Sequence, residues 1–366
     1  MPHIVIKDLS KAYGKVKALD NVNLEVFDKE YLTLLGPSGC GKTTILRSIA
    51  GLEQPDRGEI LFDGKNITDL PPEERDIGMV FQHFMVFPFL NVWDNVTYPL
   101  RIKGKSEVEI EEIAVKAMEL VGILPRINEF PEDLSAPELQ KVGLARAFST
   151  GSKLLLLDEP LSTLDSKFRM EFQHELRKLV KGLGLTAIHV THDQRVAMNI
   201  ADRIALMRKG RILQIATPMQ LYYAPNSIFT CNFLSNSNFL EGIVEKKEEK
   251  RSTVRLRGFG PKIVIPTDKW ERRKRLVLTI RRNEISFSYA KSSEINILNA
   301  EIIDEHFLGA RTIFQLRLEN GDRMEAEILT KDIPMHLGHV ITISFNIKDI
   351  MSFEYPEDLD YELALE

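Results

Sequence analysis

A chain of 366 residues is longer than one hydrophobic core usually organises, so two domains are expected. Its 43% apolar and 28% charged content excludes a disordered or fibrous protein, and a formal charge of −5 offers no global basic field for nucleic acid. No purely apolar run nears the roughly 20 residues that span a bilayer, and the N-terminal MPHIVIKDLSKAYG lacks a basic stretch followed by a long apolar one, so a cytosolic protein with Cys40 and Cys231 as reduced thiols is expected.

In chain order, LTLLG at 32–36 reads as a buried strand and KTTILRSIAG at 42–51 as the helix that follows it. Between them GPSGCGKT fits G-x-x-x-x-G-K-[ST] in the strand-to-helix setting that gives the pattern meaning. The backbone of Gly36, Pro37, Ser38, Gly39, Cys40 and Gly41 is then a phosphate cradle, extended by Lys42, Thr43 and Thr44 at the helix start. In such a loop Lys42 reaches the outer phosphates and the Thr43 hydroxyl ligates Mg²⁺. Residues 86–150 carry helical periodicity, clearest in EVEIEEIAVKAMELVGI, and are expected to form an inserted helical subdomain.

LLLLD at 154–158 reads as a second buried strand, which delivers Asp158 as an Mg²⁺ ligand and Glu159 as the group that polarises attacking water. The helical EFQHELRKLVKGLG and the strand-like TAIHVTHD follow, with His189 inside the strand as a structural histidine and His192 just beyond it. The alternation predicts an α/β P-loop NTPase core with a mainly parallel sheet over residues 1–235. From 236 to 366 the texture changes to short β-rich runs (TVRLRG, KIVIPTD, RLVLTI, EISFSY, TIFQLRLENGDRMEAEIL, VITISFNI), and ENGD at 319–322 reads as a hairpin turn. That segment is expected to be an all-β domain.

GPSGCGKTT, the glutamine of MVFQH, LSAPELQKVGLARAF, LLLLDEP, LSTLD and THD stand in the order found in the nucleotide-binding subunit of ATP-binding cassette (ABC) transporters, and the chain resembles that family over residues 1 to about 235. The β-rich tail resembles the OB-like regulatory domain of importer ATPases for sugars, polyamines, ferric iron and phosphonates. The wording of LPPEERDIGMVFQ and VFP is more similar to the polyamine, iron and phosphonate groups. The resemblance implies an ATPase using ATP and Mg²⁺, peripheral on the cytoplasmic face of the cell membrane, that drives solute import through ATP-driven dimer closure. Its implied partners are transmembrane permease subunits, a second ATPase subunit and, indirectly, an extracytoplasmic solute-binding protein.

It further implies that Tyr13 stacks on adenine, Gln82 senses Mg²⁺ and water, Asp165 contacts the partner across the dimer, and His192 reaches the γ-phosphate and positions Glu159. The apolar stretch FQHFMVFPFLNVWDNVTYPL at 81–100 reads either as subdomain packing or as part of a groove for a permease helix. RGFGPK and WERRKR combine basic and aromatic residues, but a solvated face is the expectation and no nucleic-acid partner is inferred. A soluble ABC ATPase outside transport is the competing class.

One motif departs from the family. Where LSGGQ or LSGGE is usual, this chain has LSAPE, so Ser135 remains while Ala136 and Pro137 replace two glycines. Proline has no N–H and alanine limits backbone approach to a phosphate. The loss falls on ATP held by the other subunit, which leaves two readings open: a heterodimer in which this chain is the weakly active or regulatory half, or a homodimer in which Ser135 and the helix dipole suffice.

Overall fold

Strands covered on both faces need continuous apolar runs, and the two runs read from the sequence split by alternation between two cores. In the computed structural model, which describes residues 3–82, 85–162, 166–287, 294–330 and 337–365, Leu154 and Leu156 join one buried cluster while Leu155 and Leu157 join the other.

The first compact unit runs through Ala224. It opens with β1 (Ile4–Tyr13) and β2 (Val16–Val26), then β3 (Tyr31–Leu35), α1 (Lys42–Ala50), β4 (Arg57–Phe62), β5 (Lys65–Asn66) and β6 (Ile77–Val80). The inserted helices are α2 (Val92–Ile102), α3 (Glu107–Val121) and α4 (Ala136–Ser149). There follow β7 (Leu154–Asp158), α5 (Ser166–Gly182), β8 (Thr186–Thr191), α6 (Gln194–Ile200), β9 (Arg203–Arg208), β10 (Arg211–Ala216) and α7 (Pro218–Tyr223).

Strands β3, β6, β7, β8 and β9 are parallel neighbours in the order β10-β9-β3-β8-β7-β6, with β10 added antiparallel. A second, antiparallel sheet, β2-β1-β4-β5, was not foreseen from the sequence. Ile45, Leu46 and Ile49 of α1 share a core with Ile4, Ile6 and Leu19 from that sheet and with Leu32 and Leu34 from the parallel one. The helix that opens the phosphate loop is therefore clamped from two sides. Its far end is held by Arg75, which is 2% exposed and donates to the carbonyls of Ser48, Ile49, Thr68 and Leu70.

The helical segment is specified locally. Ser106 and Glu109 form a capping box at the start of α3, and Gly122 ends it with φ 67°. The buried face of α3, Ile110, Ala114, Ala117, Met118 and Val121, then packs with Val92, Val96 and Leu100 of α2 and Val142 and Leu144 of α4.

The second unit spans Pro225–Leu365, so the division lies ahead of the change of texture near 236. The difference is α8 (Ile228–Leu234), whose Cys231 Sγ lies 3.4 Å from Thr279 Oγ1 and whose Asn232 donates to the Leu363 carbonyl at 2.8 Å. The strands are β11 (Ser237–Glu248), β12 (Arg251–Leu256), β13 (Lys262–Ile265), β14 (Arg275–Arg281), β15 (Ile295–Phe307), β16 (Arg311–Leu318), β17 (Arg323–Leu329), β18 (Val340–Asn346) and β19 (Met351–Glu354), before α9 (Leu359–Leu363). They form two antiparallel sheets, β13-β12-β11-β14-β19 and β17-β16-β15-β18, around one shared core, in keeping with an OB-like domain. The ENGD turn joins β16 to β17, with Gly321 at φ 85°. Of EISFSY, residues 284–287 are described: Glu284 closes a 3₁₀ turn that starts at Arg282, and Ser286 bridges to Ser344, while residues 288–289 lie outside the described residues.

Candidate active site

The phosphate loop is shaped by what surrounds it. A Cβ on Gly36 would stand 2.3 Å from the Met207 carbonyl oxygen, and one on Gly41 2.3 Å from that of Ala18, so glycine is required where β3 leaves the sheet and where α1 begins. Lys42 is 5% exposed. Its ammonium donates to the carbonyls of Gly36 at 2.9 Å and Pro37 at 2.7 Å, and among the described residues it forms no ion pair. A buried cation that meets two carbonyls and, at 3.8 Å, the Cys40 sulfur, at the N-terminus of a helix, suits an anion. Cys40 is buried within the loop, and that burial pushes its thiol up from the ordinary range.

Tyr13 ends β1 half exposed, with the Lys11 ammonium 5.6 Å from its ring centroid. Burial and the Glu53 carboxylate raise its phenol, while a hydrogen bond with Thr44 lowers it, which sets the ring beside the far end of the loop.

Strand β7 ends in Asp158, which is 5% exposed and accepts a hydrogen bond from Thr43 Oγ1 at 3.2 Å. Burial raises the Asp158 carboxyl above its usual range, with the Thr43 bond opposing. A carboxylate penalised by burial gains from a cation at its side. Among the described residues no three His, Cys, Asp or Glu gather into a metal cage. Two hard oxygens beside a phosphate cradle fit Mg²⁺, which is usually held by one or two protein oxygens plus phosphate.

The residue after Asp158 turns sharply. Glu159 has φ 45°, an uncommon value for a residue with a side chain, held by its N–H to Val190 O at 3.1 Å and by Ser162, whose N–H and hydroxyl both donate to its carbonyl. The turn brings its carboxylate 3.1 Å from His192 Nδ1 and 3.5 Å from Gln82 Nε2. His192 is presented by a short turn after β8: the Asp193 N–H donates to Thr191 Oγ1, and the Asp193 carboxylate caps α6. Of the residues read from the sequence, Gln82, Glu159 and His192 therefore meet, and Thr43 meets Asp158. Thr191 and Asp193, which fix the His192 turn, carried no signal beyond the THD motif itself. His189, as expected, is a buried strand residue.

Ser135 does not join this group. It caps α4, and its N–H and hydroxyl both donate to Glu138, at 2.9 and 2.6 Å. Arg126 adds a 3.2 Å ion pair to the same carboxylate. Pro137 falls in the first helical turn, where a missing N–H costs the helix nothing. Asp165 lies outside the described residues.

A parallel sheet whose strand ends present a glycine loop with a buried lysine, a carboxylate bonded to the loop threonine, and a glutamate–histidine pair defines a P-loop ATPase. Residues 19–162 match the family described as ABC transporter. The chain belongs to the ABC transporter family, as an import-type ATP-binding subunit that hydrolyses ATP. It is 36% identical over 321 residues to the spermidine/putrescine import ATP-binding protein PotA of Thermotoga maritima, covering 87% of both chains. To the protein of the same name from Pseudomonas aeruginosa it is 37% identical over 326 residues, covering 88% of this chain and 90% of the relative. A solved dimeric, post-hydrolysis ATP-binding cassette bound to ADP and Pi superposes with a TM-score of 0.54 at 33% identity, covering 59% of this chain and 98% of that one. This membership disfavours a soluble ATPase outside transport. Among the described residues no helix is long and apolar enough to cross a membrane. As an import ATP-binding subunit, the chain works with permease subunits.

Proposed function

We propose that the chain powers import of a polyamine from the cytoplasmic face of the cell membrane, hydrolysing ATP with the residues gathered at Glu159. The observation that carries the catalytic part is the Glu159 carboxylate, held between His192 Nδ1 at 3.1 Å and Gln82 Nε2 at 3.5 Å one residue beyond Asp158. Glu159 polarises the attacking water, His192 orients that carboxylate and reaches the γ-phosphate, and Gln82 reads whether the site is filled. Lys42 and the N–H groups of the 36–44 loop hold the phosphates, and Tyr13 offers a face to adenine. Thr43 and Asp158 hold Mg²⁺, which neutralises phosphate charge when bound. Ser135 and Asp165 act across a dimer of cassettes, and the second unit regulates.

Replacing Glu159 by Gln tests the assignment. The variant keeps the loop and the metal ligands, so ATP binding should persist while turnover falls about 10²- to 10⁴-fold. Near-normal turnover sinks the role. The polyamine reading rests on the relatives' names, and uptake by the complete transporter decides it: spermidine uptake is expected, and uptake of ferric iron alone is the contrary result.

A further inference from the structure

Beside Glu159 and His192 lies a cavity of about 50 Å³, walled in part by Arg169, His189, Thr191 and Asp193 as well as by that pair. His189 comes to it from within β8, 1% exposed. Its Nδ1 lies 3.0 Å from Tyr31 Oη, and among the described residues its Nε2 has no hydrogen-bond partner. Tyr31 is fully buried, and Nδ1 is the one partner its hydroxyl finds among the described residues. A phenol has a single proton to give. Were Nδ1 the donor, the phenol proton and the Nε2 lone pair would both be left unmet, so Tyr31 donates to Nδ1 and the neutral ring, whose pKa burial lowers to about 3, keeps its own proton on Nε2. A buried N–H without an acceptor is costly, and in native proteins such groups are met by water where there is room.

We infer that the cavity is a fixed water site, in which water accepts from His189 Nε2–H and donates to the Glu159 carboxylate, so that His189 is a positioning residue for hydrolysis. The volume exceeds the roughly 10–15 Å³ that one water needs, and Ser162, Thr191 and Asp193 are among the residues that line it. The Tyr31–His189 pair acts as a tautomer lock: it ensures that the cavity meets a donor, so the water turns its own hydrogens toward the carboxylate. Glu159, in a strained turn, thus gains a tether in addition to His192 and Gln82.

The inference rests on the assignment of Glu159 to hydrolysis, and the full-length chain separates the two. With ATPase rates of wild type, Glu159→Gln, His189→Phe and His189→Gln measured together, a fast Glu159→Gln variant overturns the assignment itself. If that variant is slow, His189→Phe should lower kcat about five- to twentyfold with KM for ATP unchanged, while a lowered melting temperature reports the Tyr31 hydroxyl left without its partner. His189→Gln, which keeps an N–H donor, should recover most of the rate. Nitrogen-15 NMR should find His189 as the Nε2–H tautomer, and Tyr31→Phe should mix the two tautomers and lower kcat in the same direction. Wild-type kcat in a folded His189→Phe, no recovery in His189→Gln, or an Nδ1–H tautomer in the wild type would each overturn it. Should His189→Phe not fold, Tyr31→Phe with unchanged tautomer and unchanged kcat overturns it equally.

Discussion

Gly39 and Gly41 look alike in the GPSGCGKT motif and differ in what they face. Both have positive φ, 78° and 104°, but a Cβ on Gly39 meets nothing within 4 Å whereas one on Gly41 meets the Ala18 carbonyl oxygen at 2.3 Å. Gly41→Ala should therefore cost about 3 kcal/mol from strain and overlap and weaken ATP binding at least tenfold, while Gly39→Ala costs about 1 kcal/mol. Denaturant unfolding and nucleotide titration of the two variants check this, and equal effects would count against it. The motif made both residues legible, but only the fold gives the second its neighbour. The same holds at Glu159 and Arg75. Nothing in LLLLDEP announces the positive φ that aims Glu159, and nothing in LPPEERD marks its arginine as buried on four carbonyls.

Helix α4 begins with a complete capping box around Ser135 and Glu138, so exchanging Ala136 and Pro137 for glycines leaves its start intact. The exchange restores an N–H at 137 and removes a Cβ at 136. If those groups serve ATP on a partner cassette, the double variant should raise the steady-state ATPase rate of the purified chain alone by about ten- to hundredfold. An unchanged rate with unchanged ATP-driven dimerisation shows the substitution to be neutral. At the other end of α1, Arg75→Leu strips acceptors of their donor and should cost about 4 kcal/mol. A thermal or urea transition within 1 kcal/mol of wild type would refute that. The elements missed in the sequence have a common cause. In β1 the inward alternation breaks where Asp8 takes φ 49° and the register with β2 shifts. In β11 the inward positions include Asn238 and Gly242 beside Leu240 and Val244, while Ile243 points outward, so the apolar letters fall on both faces. The parallel strands β3, β7 and β8 were legible because burial on both faces leaves no alternation to misread.

The whole molecule divides at Ala224/Pro225, and the placement of α8 gives the division a consequence. Six of the seven residues of α8 are buried, among them Phe229, Phe233 and Leu234. A chain ending at Ala224 should be soluble and bind ATP. One ending at 239 keeps α8 without Thr279 and Leu363, its partners in the second unit, and should aggregate at lower concentration. Light scattering and nucleotide titration of both truncations decide it, and the reverse order would place the boundary after α8. In the first unit the Gly36 and Pro37 carbonyls hold the Lys42 ammonium over the loop, so the chain's own backbone sets where that charge stands. A lysine aimed in this way meets a phosphate with little side-chain freedom left to lose, and the loop's affinity is spent on the ligand and not on ordering itself.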